Sequence, residues 1–161
     1  MTIVSDYTAL LSGAYWNGIE AVGSPVFITY SFATSVPASH VSESGPGGLV
    51  DGLDTNSFTA FTTDQQNQAR TALNDWSAAS GIVFLEVAPG QGQIQFASYD
   101  FTGTPYAGVG GMAFHPFGDW NFASYPYFIE DSAIAGDVFM NTAAISGGLF
   151  DFNTLLHEVG H

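Results

Sequence analysis

The sequence predicts a mixed α/β (α+β) domain built on a sheet, and three observations support this fold class. Short runs of β-branched and aromatic residues bounded by Pro, Gly or Ser indicate five strands. Apolar residues at helical spacing indicate one long helix in the first half. A capped segment at the end of the chain indicates a second helix. The elements follow the order strand, helix, four strands, helix, which is typical of a layered domain that contains both types.

The first strand is predicted over residues 25–32, PVFITYSF. Residues 34–57 are rich in Ser, Gly and Pro, so we expect a surface loop there. The later strands are predicted at 82–87, 93–99, 111–116 and 136–141. The strand at 93–99 alternates, with Ile94 and Phe96 opposed to Gln93, Gln95 and Ala97, which predicts one buried and one polar face.

The long helix is predicted in FTTDQQNQARTALNDWSAASG. Thr63 followed by Gln66 has the spacing of a capping box, and Gly81 is a candidate C-cap. Ala69, Ala72, Leu73 and Trp76 recur on one helical face. We therefore predict that Trp76 is a core residue and not a platform for a ligand.

Composition and charge exclude several classes of site. The chain has one basic residue, Arg70, no Lys and fifteen acidic residues, for a formal net charge of −14. Such a surface argues against nucleic acid and anionic membranes as partners. No stretch reaches the roughly 18 to 20 apolar residues that span a bilayer. There is no Cys, which excludes disulfides and thiolate metal sites. The N-terminus has no basic region followed by an apolar core, so no Sec-type signal peptide is expected.

The motif that carries chemistry is HEVGH at residues 157–161. Asp151 or Asn153 is the expected N-cap of the helix that contains it. In a helix, His157 and His161 project from one face on successive turns and can bind one zinc ion. Glu158 is then placed beside the metal, where it can act as general base for a metal-activated water. Three fixed positions also occur by chance, and the alternative is a surface helix with two solvated histidines.

The other two histidines are weaker candidates. His40 lies in the polar loop and is expected to be solvated. His115 lies in a predicted strand and could supply a third zinc ligand, although an ordinary strand histidine is the more common situation. A catalytic zinc site needs three protein ligands and one open position. The motif supplies two, so we expect the third to lie downstream of residue 161.

TLLHEVGH resembles the start of the metzincin zinc signature. The segments ITYSF, the long helix, GQIQFASYD, GMAFHP and GDVFMN are similar in order and character to the N-terminal half of a serralysin-type catalytic domain. ALLSGAYWNG near the N-terminus is also serralysin-like. The resemblance covers residues 9 to 161, and the loops at 34–57 and 117–135 match least. The aromatic loop at 117–135 is predicted to pack on the sheet.

The resemblance implies a metzincin upper subdomain: a twisted five-stranded sheet with one antiparallel edge strand and two helices, the second being the active-site helix. It implies zinc bound by His157 and His161, with Glu158 as general base. The strand at 111–116 would be the antiparallel edge, and the backbone at Met112, Ala113 and Phe114 would contact a peptide substrate by strand addition. It also implies calcium in glycine-rich repeats that the chain does not contain, and a secreted, extracellular bacterial protein.

We therefore expect a zinc-dependent metalloendopeptidase that acts on proteins or peptides. Residues 1–161 would form an incomplete catalytic domain that has little or no activity alone. The alternative is a non-catalytic, acidic, secreted binding or matrix module whose histidines are incidental. Cleavage preference and oligomeric state do not follow from the sequence.

Overall fold

The structure is a computed structural model that describes residues 26–115, 133–143 and 151–161. The N-terminal ALLSGAYWNG segment and most of the aromatic loop at 117–135 lie outside the described residues. The predictions that concern these two segments therefore stay predictions.

A five-stranded mixed sheet forms the centre of the fold, as predicted. The spatial order is β2-β1-β3-β5-β4. Strands β2, β1, β3 and β5 are parallel to one another, and β4 runs antiparallel to β5 at one edge. The five strands are β1 Phe27–Phe32, β2 Val83–Glu86, β3 Ile94–Tyr99, β4 Gly111–Ala113 and β5 Val138–Asn141.

Two longer helices, α2 Thr63–Ser80 and α3 Phe152–Val159, correspond to the predicted pair, and a short helix α1 spans Ala38–Glu43. Helix α1 lies where we expected only a loop, so that prediction was wrong in part. Helix α2 ends as predicted at Gly81, whose φ of 79° suits a residue without a Cβ. No helix in the described ranges is long and apolar enough to span a membrane.

The capping box of α2 lies one residue earlier than predicted. The Thr62 hydroxyl accepts the N–H of Gln65 at 3.3 Å, and the Gln65 side chain accepts the N–H of Thr62 at 2.8 Å. Thr62 and Thr63 are adjacent, and both have Gln three positions later. The sequence spacing alone therefore could not decide whether Thr62 or Thr63 is the cap. The conformation of the chain before the helix decides it.

Both faces of the sheet are covered by apolar residues. One core lies under α2 and α3 and includes Ile28, Phe96, Leu73 and Leu155. The second core, on the opposite face, is built from Val50, Leu53, Ala97, Tyr99, Phe101, Ile134 and Phe139 with Ala33. The prediction of a polar second face for β3 was therefore wrong. Residues of the 34–57 segment and Ile134 cover that face, as parallel sheets generally require.

His40 is fully buried, and the expectation of a solvated histidine was wrong. Its Nδ1 lies 2.7 Å from the Tyr99 hydroxyl, and its Nε2 lies 2.9 Å from Asp137 Oδ2. Asp137 Oδ1 also accepts the N–H of Gln95 at 2.6 Å. Burial raises the pKa of the Asp137 carboxyl, and its bonds to His40 and Gln95 oppose that shift. Buried polar groups are tolerated when they are bonded, so this network connects α1 to β3 and β5.

The lone basic residue of the chain, Arg70, connects α2 to the edge strand β2. Its guanidinium donates two hydrogen bonds to Glu86, at 2.7 and 2.8 Å, and lies over the Phe32 ring at 5.1 Å from the centroid. The bonds from Arg70 lower the pKa of Glu86, while burial beside Glu86 raises the pKa of Tyr30 to about 12.

We predict that Thr62→Ala lowers the free energy of unfolding by about 1 kcal/mol, because the N–H of Gln65 loses its acceptor. Thr63→Ala, at the neighbouring exposed position, should change stability by less than about 0.5 kcal/mol. Urea denaturation of the two variants measures both effects. A larger loss of unfolding free energy in Thr63→Ala than in Thr62→Ala would show that Thr63 is the cap, as the sequence predicted.

We predict that His40→Ala destabilises the protein by about 3 to 5 kcal/mol, because Asp137 stays buried after its partner is removed. Val41→Ala, at a residue of the same helix that is 53% exposed, is the control and should stay within about 0.5 kcal/mol of the wild type. Denaturant unfolding of both variants provides the comparison. A loss below about 1 kcal/mol in His40→Ala would show that the network does not stabilise the fold.

Candidate active site

Helix α3 begins at a well-defined N-cap. The Asp151 carboxylate accepts the N–H groups of Asn153 and Thr154 at 3.1 and 3.2 Å, and the Thr154 hydroxyl at 2.6 Å. These bonds lower the pKa of Asp151, with the Thr154 hydroxyl contributing most. Of the two N-caps that the sequence left open, the structure selects Asp151. The cap fixes the residue at which the helix begins, and thereby the helical turns on which the HEVGH residues lie.

Contacts with α2 hold the other end of α3. The Trp76 indole Nε1 donates to the carbonyl of Leu156 at 2.8 Å. Leu155 is fully buried in the core under the two helices. A Cβ added at Gly160 would lie 2.3 Å from Cζ2 of Trp76, so the indole occupies the space that a side chain would need. Trp76 is therefore a half-buried packing residue between α2 and α3.

Two adjacent glycines let α3 approach the edge strand β4. A Cβ at Gly110 would meet the Thr154 side chain at 3.1 Å, and a Cβ at Gly111 would meet Glu158 Cγ at 2.9 Å. The sequence showed this glycine-rich segment only as a turn. Its role depends on which helix lies above it, and the sequence carries no signal for that.

The two motif histidines converge. His157 Nε2 and His161 Nε2 are 3.0 Å apart, and the ring centroids are 4.7 Å apart. The α-helix ends at Val159, and the N–H groups of Gly160 and His161 bond to the carbonyls of His157 and Glu158. Burial and the neighbouring imidazoles of His157 and His115 lower the pKa of His161, which favours the neutral, metal-binding form.

His115, just after β4, lies beside this pair. Its Nδ1 is 3.3 Å from the carbonyl oxygen of His161, and the two rings are 5.4 Å apart in an edge-on arrangement. The nitrogen thus faces a main-chain carbonyl. Throughout residues 26–115, 133–143 and 151–161, no group of three or more His, Asp or Glu side chains is placed to hold one metal ion.

Glu158 packs against β4 at Gly111. It is only 8% exposed, whereas His157 and His161 are both exposed. Burial raises the pKa of the Glu158 carboxyl, and the nearby His157 and a hydrogen bond from the Ala113 N–H act against that shift. A carboxylate with a raised pKa is a stronger base than an ordinary one.

Within the part of the chain that the structure describes, the outer edge of β4 pairs with no further strand. Phe114 donates to the carbonyl of Asp137 and accepts from Gly136, and the Gly110 carbonyl accepts from Asn141. Because bonding directions alternate along a strand, Gly111 and Ala113 direct their main-chain groups away from β5. Met112 and Phe114 pack their side chains against the second core. Met112, Ala113 and Phe114 were predicted to contact substrate through their backbone. In the structure Ala113 presents its backbone at the edge of the sheet, whereas Met112 and Phe114 present side chains to the groove.

A groove of about 320 Å³ runs along this edge. Glu158 and His161 lie on the side formed by α3. Residues Gly111–Phe114 form its floor, and Leu49, Tyr106 and Val109 contribute the remaining lining. Sequence reasoning missed these last three residues, because they come from two loops that only the tertiary fold brings to β4.

The residues present suit a zinc ion in part. Two imidazole nitrogens on one tetrahedral zinc, with bonds near 2.0 Å, lie roughly 3.3 Å apart, close to the observed 3.0 Å. Zinc binds neutral imidazole, the form of His161 that its surroundings favour. Glu158 lies against β4, next to the groove that His161 also lines.

Comparison with known proteins gives a consistent set of relatives. No protein-family model matches the chain. The chain is 30% identical over 149 residues to serralysin G of Dickeya chrysanthemi, which covers 91% of this chain and 28% of that protein. It is 28% identical over 160 residues to metalloprotease AprA of Pseudomonas entomophila, covering 94% and 28%. Serralysin B of Dickeya chrysanthemi is 32% identical over 85 residues, covering 52% and 15%. The chain thus spans less than a third of the length of these relatives.

We predict that Gly160→Ala destabilises the protein by about 1 to 3 kcal/mol, because the added methyl group collides with the Trp76 ring and separates α3 from α2. Gly108→Ala, where a Cβ meets open space, is the matched control and should be near neutral. Denaturant unfolding gives both values.

A double-mutant cycle tests the contact itself. In the Trp76→Phe background the outer indole ring is absent, so Gly160→Ala should cost less than it does in the wild type. Equal costs in the two backgrounds would remove Trp76 as the cause.

Proposed function

We propose that this chain belongs to a zinc-dependent metalloendopeptidase of serralysin type, and that residues 1–161 correspond to the upper subdomain of its catalytic domain. His157 and His161 are the proposed zinc ligands and Glu158 the proposed general base. The observation that carries the proposal is the pairing of two converging imidazoles with a buried carboxylate at a free strand edge. The similarity to serralysins and AprA-type metalloproteases supports it.

Zinc at the two imidazoles would polarise the substrate carbonyl and acidify a water molecule. The proton transfers would be carried out by a residue of the chain. Glu158 takes a proton from the attacking water and delivers it to the leaving amine. Its burial against β4 keeps this carboxylate near the carbonyl that reacts, and excludes bulk water from one side of it.

Strand β4 would bind the substrate backbone. An extended peptide added beside Gly111 and Ala113 forms main-chain hydrogen bonds along the free edge, as in other strand-addition complexes. The backbone of Ala113 lies beside Glu158, so the substrate and the base would share one short stretch of strand. Met112 and Phe114 would contact the substrate through their side chains.

If the chain were instead a non-catalytic acidic module, we would expect the side chains of the motif to be solvated and to make no contact with one another. The buried Glu158 and the space that Gly111 leaves for it favour the peptidase. We further propose, from the resemblance alone, a secreted extracellular protein. Calcium binding is proposed only for repeat regions of the kind that follow serralysin catalytic domains.

We predict that Glu158→Gln in the protein expressed from its own gene lowers kcat/KM for peptide hydrolysis by about 10²- to 10⁴-fold, while zinc content is kept. Asp75→Asn, at an exposed carboxylate on α2, is the control and should keep full activity. His157→Ala and His161→Ala should each lose zinc. Metal analysis and peptide assays with and without a chelator provide the readouts. Undiminished hydrolysis in Glu158→Gln would remove this residue from the mechanism.

A further inference from the structure

One buried side chain joins the start of strand β4 to the end of strand β5. Asn141, the last residue of β5, is fully buried. Its Nδ2 donates to the carbonyl of Val109 at 2.7 Å and to that of Ala107 at 3.4 Å. Its Oδ1 accepts the N–H groups of Phe101 and Ala143 at 3.2 and 3.0 Å. Both donors and both acceptor positions of the carboxamide are therefore used.

These bonds also fix the direction in which the carboxamide is turned. Its NH₂ group faces two carbonyl oxygens and its oxygen faces two N–H groups, so an inverted side chain would lose all four bonds. The backbone N–H of Asn141 donates in addition to the carbonyl of Gly110 at 2.9 Å. One residue thus holds two consecutive carbonyls, those of Val109 and Gly110, where β4 begins.

The stretch that Asn141 holds has little burial to fix it. Residues 105–109 are all exposed, and Gly108 and Gly110 add backbone freedom that is lost when the chain is ordered. In the described part of the chain, the hydrogen bonds that join residues 105–110 to β5 all come from Asn141. The place where β4 starts therefore depends on this side chain.

The position of β4 matters because helix α3 packs directly on it. A Cβ at Gly111 would meet Glu158 Cγ at 2.9 Å, and a Cβ at Gly110 would meet the Thr154 side chain at 3.1 Å. Interiors packed this closely transmit small displacements. A shift of the strand at Gly110 or Gly111 would therefore change the contact that holds the proposed base.

We propose that Asn141 is a positioning residue of the candidate active site. Its carboxamide holds Gly110 and Gly111 where Glu158 can pack on β4 and where the strand edge can pair with a peptide. Its effect on the site passes through the backbone of β4. This inference rests on the peptidase function proposed above and adds a residue to it.

Asn141→Asp tests the donor group, because it replaces the NH₂ group by an oxygen of similar size. An ionised carboxylate would face the carbonyls of Val109 and Ala107, which repel it. Below its pKa the introduced carboxyl is protonated and can again donate one hydrogen bond to Val109. Burial beside two carbonyls raises that pKa above the ordinary Asp value. The defect should therefore grow as the pH rises and shrink as it falls.

We expect kcat/KM of Asn141→Asp, divided by the wild-type value, to be about 10⁻² near pH 8 and to recover to within about 10-fold of the wild type near pH 5. The ratio is used because the native groups that titrate around this site, among them Tyr99, Asp100 and Glu158, are common to both proteins. Asn74→Asp, at an exposed position of α2, carries the same change of charge and should keep a ratio near one throughout.

A milder variant covers the case in which Asn141→Asp does not fold. Asn141→Ser removes the Nδ2 donor without adding a charge, and should lower kcat/KM about 10-fold at every pH. Wild-type activity in Asn141→Ser would overturn the proposal. So would a loss in folded Asn141→Asp that is the same at both pH values.

Hydrogen exchange of the full-length protein separates this inference from the proposed function. Near pH 8, the amides of residues 109–114 should exchange about 10- to 100-fold faster in Asn141→Asp than in Asn74→Asp, while those of β1 and α2 keep their rates. This result supports Asn141 as the residue that holds β4 even if the wild type hydrolyses no peptide, in which case the peptidase function is wrong. Unchanged exchange in β4 of an active enzyme, or equal acceleration in all elements, would overturn the role of Asn141 alone.

Discussion

The close approach of helix α3 to strand β4 is the constraint on which the candidate site depends. Glu158 can lie against the strand only because Gly111 has no side chain, and Thr154 fits only because Gly110 has none. At the far end, Gly160 admits the Trp76 ring, whose N–H bonds to Leu156. Gly110 and Gly111 therefore set the distance between α3 and β4, and Gly160 sets the distance between α3 and α2. Each glycine permits a close contact but loses more conformational entropy on folding than another residue would.

The second constraint is the need to cover both faces of a largely parallel sheet. Helices α2 and α3 cover one face, and the segment after β1 covers the other with Val50 and Leu53. Buried His40 joins that segment to Tyr99 and Asp137 through two short bonds. The same covering segment carries Leu49, so the element that completes the second core also supplies part of the groove lining. Stability and the shape of the site thus depend on the same residues.

The balance of charge fits this arrangement. With a single cation, the fold has few ion pairs available, and the only Arg makes its pair at the β2 edge. The buried carboxylate of Asp137 is instead bonded to His40 and to the backbone N–H of Gln95, and the Asn141 side chain accepts from the N–H of Phe101. At the site beside β4, burial raises the pKa of Glu158, and the nearby His157 acts against that shift. That leaves its carboxylate with a raised pKa beside the imidazole pair.

The sequence by itself determined the features that depend on near neighbours in the chain. The five strands, the helix ending at Gly81 and the spacing of His157 and His161 were predictable, because they follow from local periodicity, capping and motif spacing. The antiparallel edge strand was predicted only through the family resemblance. Only the tertiary structure decided what depends on distant neighbours. It selected Thr62 over Thr63 as the cap, buried His40 and Ala97, and brought Leu49 and Tyr106 to β4. The physical reason is that burial and groove lining are set by residues that meet across the fold, and a polar segment such as 34–57 carries no local signal of the apolar surface it will cover.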